Sequence, residues 1–238
     1  MVINYYVGLG KLSKLGLIAL IDKMISQSEI IEKSGVKYVL KNFTGEKSSF
    51  KWFPLSTFLG FIYPFTYDPT ERLERELAFF SKKWDFLKTP KIVEVSRETC
   101  RVLREYIDGR ALDTDTDARR LGVVLGEVHK DGWALGDVKL TNFLIGNDDS
   151  VYIIDAEQAI SGAEAQHMAW DLYLVFLIAS YVYIKSPSKF EKFLEEFLSG
   201  HDSVCNCKAI YEEFNTPKFQ SLLILFPLSH LLKLAKAF

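Results

Sequence analysis

Apolar and polar positions alternate most clearly over residues 28–43. Ser28 to Lys33 and Val36 to Phe43 are β-rich arms around Ser34-Gly35, a pairing that predicts a hairpin. From Asp68 the period changes: Leu73, Leu77 and Phe80 recur at helical spacing behind a cap residue, a proline in the first turn and Glu71 near the positive end. Lys91 to Val95 and Cys100 to Ile107 read as two further strands around Ser96-Arg97-Glu98. Thr116 or Asp117 caps a helix with Leu121, Val124, Leu125 and Val128 on one side, ending at Gly132. A second hairpin joins Phe143-Leu144-Ile145 to Val151-Ile154 through the turn residues Gly146 to Ser150. Trp170 to Ile184 is apolar on every side, which marks a central buried helix. Covering helices are expected over Ser188 to Leu198, Lys208 to Phe214, and from Lys218 onward with a break at Pro227. Strands come first and helices after, the order of an α+β chain.

Two stretches are less legible. Met1 to Lys23 contains Leu15 to Ile21, which follows Lys11 and Lys14 as a signal-peptide core would, but Asp22-Lys23 stands where a small-residue cleavage site belongs. A buried element is expected there. Phe43 to Asp68 is aromatic and irregular, with Phe50, Trp52, Phe53, Phe58, Phe61, Tyr63, Phe65 and Tyr67, and is expected to pack under the first lobe. Trp170 to Ile184 falls short of the ~20 apolar residues a membrane helix needs.

Composition narrows the class. With 238 residues, 48% hydrophobic and 25% charged, the chain can build one large or two small cores. A net charge of −2 supplies no bulk attraction to nucleic acid or an anionic membrane. Cys100, Cys205 and Cys207 make neither a disulfide framework nor a four-ligand zinc pattern, so a reducing cytoplasm is expected. His129, His167, His201 and His230 are scattered, which argues against a histidine metal site and places each at the surface or an element end.

The chemistry concentrates between Trp133 and Gln158. Asp137, Asn142 and Asp155 flank the second hairpin outside its turn, so turn-forming propensity does not account for them. Two carboxylates and an amide in this arrangement suit phosphoryl transfer. One carboxylate orients the attacking hydroxyl, while the amide and the second carboxylate hold a divalent metal on nucleotide phosphates.

On these residues the chain resembles the protein-kinase-like superfamily. Asp137, Lys139 and Asn142 match the pattern D-x-K-x-x-N, and Asp155-Ala156-Glu157 stands where most kinases carry D-F-G. Lys41, closing Tyr38-Val39-Leu40-Lys41, is similar to the strand lysine that reaches the α- and β-phosphates; Lys37 and Lys47 are its controls. The resemblance implies a partner glutamate on the first helix, assigned to Glu76, with Glu74 as the fallback. It also implies a phosphate-covering loop at Ser26-Gln27-Ser28, although that stretch has no glycine; the earlier Gly8-Leu9-Gly10 precedes the hairpin by too much. Arg104-Glu105-Tyr106-Ile107-Asp108-Gly109 resembles the hinge whose backbone meets adenine at Glu105 and Ile107, with Arg104 where an apolar residue is usual.

What the resemblance implies is a minimal bilobal fold: a strand-rich N-lobe over residues 1–104 (1–21 an extension), a hinge at 105–110 and a helical C-lobe over 111–238. Gly136 before Asp137, Leu135 in place of histidine, and the short run from Glu157 to Trp170 make it similar to atypical members, the RIO and KEOPS-type archaeal kinases and the sugar phosphotransferases. Trp170-Asp171-Leu172 resembles the entry of the central helix, whose aspartate ties down the catalytic loop. The implied activity is an ATP-dependent transfer to a hydroxyl by an atypical serine/threonine kinase, with Mg2+ or Mn2+ on Asn142 and Asp155, Asp137 and Lys139 catalytic, and Lys41 and Glu76 on ATP. A small-molecule kinase and a nucleotide-binding scaffold within a protein complex are the alternatives. The acceptor is a protein or a low-mass hydroxyl compound, with neither nucleic acid nor membrane as partner.

Overall fold

A computed structural model of the chain describes residues 28–44 and 59–237. Ser26, Gln27, Gly8-Leu9-Gly10, Leu15 to Ile21, and the aromatic residues from Phe50 to Phe58 lie outside the described residues.

Strand β1 (Ser28–Lys33) pairs antiparallel with β2 (Val36–Asn42), placing Ser28 opposite Lys41. The turn holds Ser34 at φ 52° and Gly35 at φ 76°, two left-handed residues whose twist matches that of a hairpin. β2 continues onto β5 (Arg101–Glu105), and β5 onto β4 (Ile92–Ser96), giving the order β1-β2-β5-β4. The register sets Lys41 against Val102 and Val39 against Arg104, so these side chains share one face of the sheet.

Helix α1 (Pro69–Ser81) covers that face. It starts as its sequence requires, with Pro69 in the first turn and the Asp68 carboxylate accepting the Glu71 amide at 2.8 Å. Leu73 and Leu77 form a small core with Phe43, Cys100 and Val102. Phe80 instead joins Phe79 in the larger core, so the apolar stripe of α1 is divided between two hydrophobic clusters.

A second sheet, in the order β3-β9-β8-β6, is built from β3 (Leu87–Lys88), β9 (Val151–Ile153), β8 (Phe143–Gly146) and β6 (Gly109–Ala111). Residues 106–108 connect the two sheets, from Glu105 at the end of β5 to Gly109 at the start of β6. A short ribbon pairs β7 (Trp133–Ala134) with β10 (Ile160–Ser161).

Helices α2 (Ala118–Lys130), α3 (Ala165–Val182) and α4 (Pro187–Asp202) enclose the larger core, followed by α5 (Lys208–Glu212), α6 (Pro217–Leu222) and α7 (Leu228–Ala237). Leu121, Val124, Leu125, Phe176, Phe190, Phe193 and Phe197 are buried there, each side chain contributing about 1.5–3 kcal/mol. Close approach of α2 and α4 depends on two glycines. A Cβ on Gly122 would lie 2.0 Å from the Phe197 carbonyl oxygen, and one on Gly200 2.1 Å from that of Arg119.

Several expectations change. Helix α3 begins at Ala165 rather than at Trp170, because Glu164 and His167 form a reciprocal capping box that starts it earlier. α4 runs past Leu198 to Asp202. Tyr63 and Phe65 do not pack beneath the first sheet; they belong to the larger core, against His167 and Trp170 of α3. His129, His201 and His230 lie near helix ends but are buried, each imidazole held by hydrogen bonds. Cys205 and Cys207 are joined as a disulfide over one intervening residue, a local bridge that the cysteine count did not suggest. Among the described residues, no helix is long and apolar enough to cross a membrane.

Candidate functional site

The face shared by Val39, Lys41, Val102 and Arg104 brings one strand lysine under α1. Lys41 is buried, and its Nζ lies 2.6 Å from Glu76 Oε2 and 2.8 Å from Asp155 Oδ1. Glu157 Oε2 follows at 3.3 Å, and the Phe43 ring centroid at 4.8 Å. Burial alone would lower the lysine's pKa, but Asp155, Glu157 and Glu76 outweigh it and hold the ammonium well above its ordinary value. For Glu76, burial pushes the carboxyl up while Lys41 and Arg104 pull it down.

Two arginines complete the cluster. Arg72 is fully buried, donates to the Phe43 carbonyl and lies 3.6 Å from Glu157. Arg104 donates to the Ile154 carbonyl and lies 3.6 Å from Glu76 Oε1. Lys41, Arg72 and Arg104 thus face Glu76, Asp155 and Glu157. Opposite charges in place of water make the burial of Lys41, Arg72, Arg104, Glu76 and Glu157 tolerable, while Asp155 stays partly exposed.

Two hydrogen bonds connect Ile154, and with it this cluster, to Asp137. The Ile154 amide donates to the Asn142 carbonyl at 2.9 Å, and Asn142 Nδ2 donates to the Asp137 carbonyl at 2.8 Å. Lys139 Nζ lies 3.3 Å from Asp137 Oδ2. The loop before Asp137 is fixed from α3: Asp171 accepts the Leu135 and Gly136 amides at 2.6 and 2.7 Å. Trp170 Nε1 donates to the Gly136 carbonyl at 3.0 Å. Gly136 has φ +73°, and a Cβ there would meet the Tyr63 ring at 2.3 Å. The glycine before Asp137 is therefore required twice over, by backbone conformation and by the Tyr63 ring packed against it.

The structure brings Lys41, Glu76 and Asp155 into direct contact, and joins Asn142, Asp137 and Lys139 to them through backbone bonds. Glu74, the fallback, is exposed and pairs instead with Arg97 at 2.6 Å. Ser28 is the first residue of β1, across from Lys41; Ser26 and Gln27 are outside the described residues. Ile107 is buried, and Glu105 gives its amide to the Lys91 carbonyl at 2.9 Å, so its N–H is already engaged.

The sequence reading missed Arg72 and Glu157. Arg72 offers no signal except its spacing: it is four before Glu76, on the same side of α1. Glu157 follows Asp155 by two, in the position of a glycine in D-F-G, and that departure was its only mark.

Among the described residues, no three His, Cys, Asp or Glu side chains converge as an all-protein metal cage. A carboxylate and an amide oxygen, from Asp155 and Asn142, are nonetheless the hard donors magnesium takes when phosphates and water complete its shell, so the residues fit such an ion.

The described residues form an α+β architecture, with strand-rich sheets first along the chain and a helical region after them. No protein-family model matches the chain. A probable bifunctional tRNA threonylcarbamoyladenosine biosynthesis protein of Methanocaldococcus jannaschii is 31% identical over 139 residues, which cover 56% of this chain and 25% of that protein. The protein of the same description from Thermoplasma acidophilum is 27% identical over 110 residues, 43% of this chain and 20% of that one. The chain thus spans a quarter or less of the length of the curated relatives it matches. Among solved structures, the bifunctional kinase-methyltransferase WbdD aligns with 82% of this chain and 44% of its own, at a TM-score of 0.46 and 13% identity.

Proposed function

We propose that the chain is an ATP-dependent phosphotransferase, a compact atypical kinase similar to the RIO and KEOPS-type archaeal kinases, that transfers the γ-phosphate to a hydroxyl. The observation that carries this reading is Lys41 set between Glu76 and Asp155 at 2.6 and 2.8 Å. A buried ammonium between a helix carboxylate and a loop carboxylate is the arrangement by which nucleotide phosphates are gripped beside a metal ligand.

In the proposed mechanism, Lys41 meets the α- and β-phosphates while Glu76 fixes its direction. Asp155 and Asn142 would hold Mg2+ or Mn2+, which when bound would neutralise charge on the phosphates. Asp137 orients the acceptor hydroxyl and takes its proton as the new P–O bond forms. The bond to the bridging oxygen breaks, and ADP leaves with that electron pair. Lys139, 3.3 Å from Asp137, steadies the phosphoryl group in transit.

The test is transfer from γ-labelled ATP by the parent and by Asp137→Ala, with a thermal-shift titration of ATP with and without magnesium. Loss of transfer in the variant, with nucleotide binding kept, is expected. Equal transfer by both would sink the role of Asp137, and no thermal shift in either condition would sink the kinase reading.

A serine or threonine side chain of a protein is the first acceptor to test. A low-mass hydroxyl compound is the second reading, favoured by the shortness of the segment after the cluster: only residues 162–164 separate β10 from α3. That leaves little chain for a peptide-docking platform. The two relatives are named for tRNA threonylcarbamoyladenosine biosynthesis, so an assembly that modifies tRNA is the first setting in which to seek a protein partner. Turnover with a macromolecular fraction but not with sugars and nucleosides would decide for a protein acceptor.

A further inference from the structure

Arg104 is a buried cation on the central strand β5, and its contacts reach both α1 and the segment that leads into Asp155. Its guanidinium donates to the carbonyl of Ile154, the residue before Asp155, and its Nη1 lies 3.6 Å from Glu76 Oε1. It also lies 5.6 Å from the centroid of the Phe80 ring on α1. The two oxygens of Glu76 are thereby divided. Oε2 takes the Lys41 ammonium at 2.6 Å and the Ala156 amide at 3.3 Å. Oε1 is buried with no hydrogen-bond partner, and Arg104 is the cation beside it.

We propose that Arg104 is a positioning residue that clamps Glu76 of α1 and the Ile154-Asp155 segment to β5, keeping Lys41, Glu76 and Asp155 assembled before any nucleotide arrives. The inference rests on the phosphotransferase reading and deepens it. A planar guanidinium with several donors can serve a carbonyl and a carboxylate from one place, which a lysine's point charge does less well. An apolar side chain would do neither, leaving Glu76 Oε1 buried without a facing cation. The clamp acts from the side of the sheet that carries Lys41, since Val39 and Arg104 are register partners and Lys41 stands two residues along. It ties α1 to the sheet by charge where Leu73 and Leu77 tie it by apolar contact. A site held this way has its lysine–glutamate pair closed without nucleotide.

Acting through Glu76 and Asp155 rather than on substrate, Arg104 should affect turnover more than nucleotide affinity. The experiment compares the parent with R104M, R104K, E76Q and the R104M/E76Q double variant, measuring kcat and KM for ATP together with thermal unfolding without nucleotide. R104M is expected to lose about 10²-fold in kcat, the cost of misplacing a catalytic group by about 1 Å, with KM within about threefold of the parent. R104K should recover part of that loss. In the E76Q background, R104M should cost less than about threefold further, because the partner through which it acts is already altered. The unfolding midpoints should be less than additive in the same way.

An active parent whose R104M keeps kcat within twofold, or penalties that multiply in the double variant, would overturn the inference alone. A parent that transfers no phosphate would overturn the reading of the site and this inference with it. If R104M does not fold, R104K decides: parent-like kcat there would show that the fork of donors is not needed.

Discussion

The carboxylate of Asp171 accepts the backbone amide of Gly136 at 2.7 Å, and its other oxygen takes the amide of Leu135. A side chain in the second turn of α3 thus fixes the two residues that lead into Asp137. His129 Nε2 lies 3.4 Å from the same carboxylate, and all of these groups are buried. Asp171→Asn keeps one acceptor oxygen and turns an amide NH2 toward the second N–H. The expected loss is about 1–3 kcal/mol of stability, the cost of one unsatisfied buried donor. Transfer activity should fall about 10- to 100-fold as Asp137 loses its placement. Chemical denaturation and initial rates measured on the same preparation check both; an unchanged rate with lowered stability would restrict Asp171 to folding.

Gly136→Ala tests the other constraint on that loop. The left-handed φ of +73° and a Cβ 2.3 Å from the Tyr63 ring act together. Strain and overpacking together should cost roughly 2–5 kcal/mol. Tyr63→Ala in the same chain removes the collision but not the strain. The two losses are therefore expected to be less than additive by unfolding midpoint, and full additivity would mean that the ring and the glycine do not meet.

Local chemistry made much of this legible from sequence. Ser34-Gly35 specified a hairpin because both residues adopt left-handed conformations, and Asp68-Pro69 specified a helix start because the cap and the fixed φ act within four residues. Glu76 could be chosen over Glu74 because helical period alone decides which of them faces the sheet. Less was legible where contacts are long-range. Tyr63 is 71 and 95 residues from Ala134 and Gln158, whose carbonyls its hydroxyl bonds, and no period in the sequence encodes that pairing. Arg72 and Glu157 carry no local sequence signal for burial, because burial of an ion pair depends on both partners being brought together by the fold. The start of α3 was misplaced because the capping box Glu164/His167 uses a histidine at its third position, and Trp170-Asp171 gave a stronger but misleading cue.

His201 is expected to make the protein's stability sensitive to mild acid. Burial, with His129 beside it, lowers its pKa from 6.5 to about 3. The unfolded chain therefore binds a proton that the folded chain refuses, and stability falls as pH drops below about 6.5 and on toward 3. At pH 5 the loss is about 2 kcal/mol, from 1.5 pKa units at 1.36 kcal/mol each. His201→Phe keeps a ring against Phe197 but gives up the bonds to His129 and Tyr211. Its midpoint should start lower at pH 7.5 and vary less between pH 6.5 and 5. A parallel decline in parent and variant would mean that the acid sensitivity lies elsewhere.

Lys41→Met separates the lysine's part in the fold from its part in transfer. The substitution keeps much of the side-chain volume and removes the cation that Glu76, Asp155 and Glu157 share. Arg72 and Arg104 remain, so the cluster changes from three cations against three anions to two against three. Breaking a buried pair from one side costs about 3–5 kcal/mol. Because the folded pKa of Lys41 is raised, its stabilisation is complete throughout the neutral range and is lost only as the pH rises above the ordinary lysine value. The deficit of the variant should therefore be full at pH 8. Toward pH 5 it should shrink, since a carboxyl left without its cation has a raised folded pKa and can take up the proton that restores neutrality. Glu76→Gln added to Lys41→Met removes one of the stranded anions and should recover part of the stability at pH 8 without restoring transfer. Unfolding midpoints across this pH range, measured beside transfer from labelled ATP, distinguish the two roles; a deficit independent of pH would show that packing, not charge, is what Lys41 contributes to the fold.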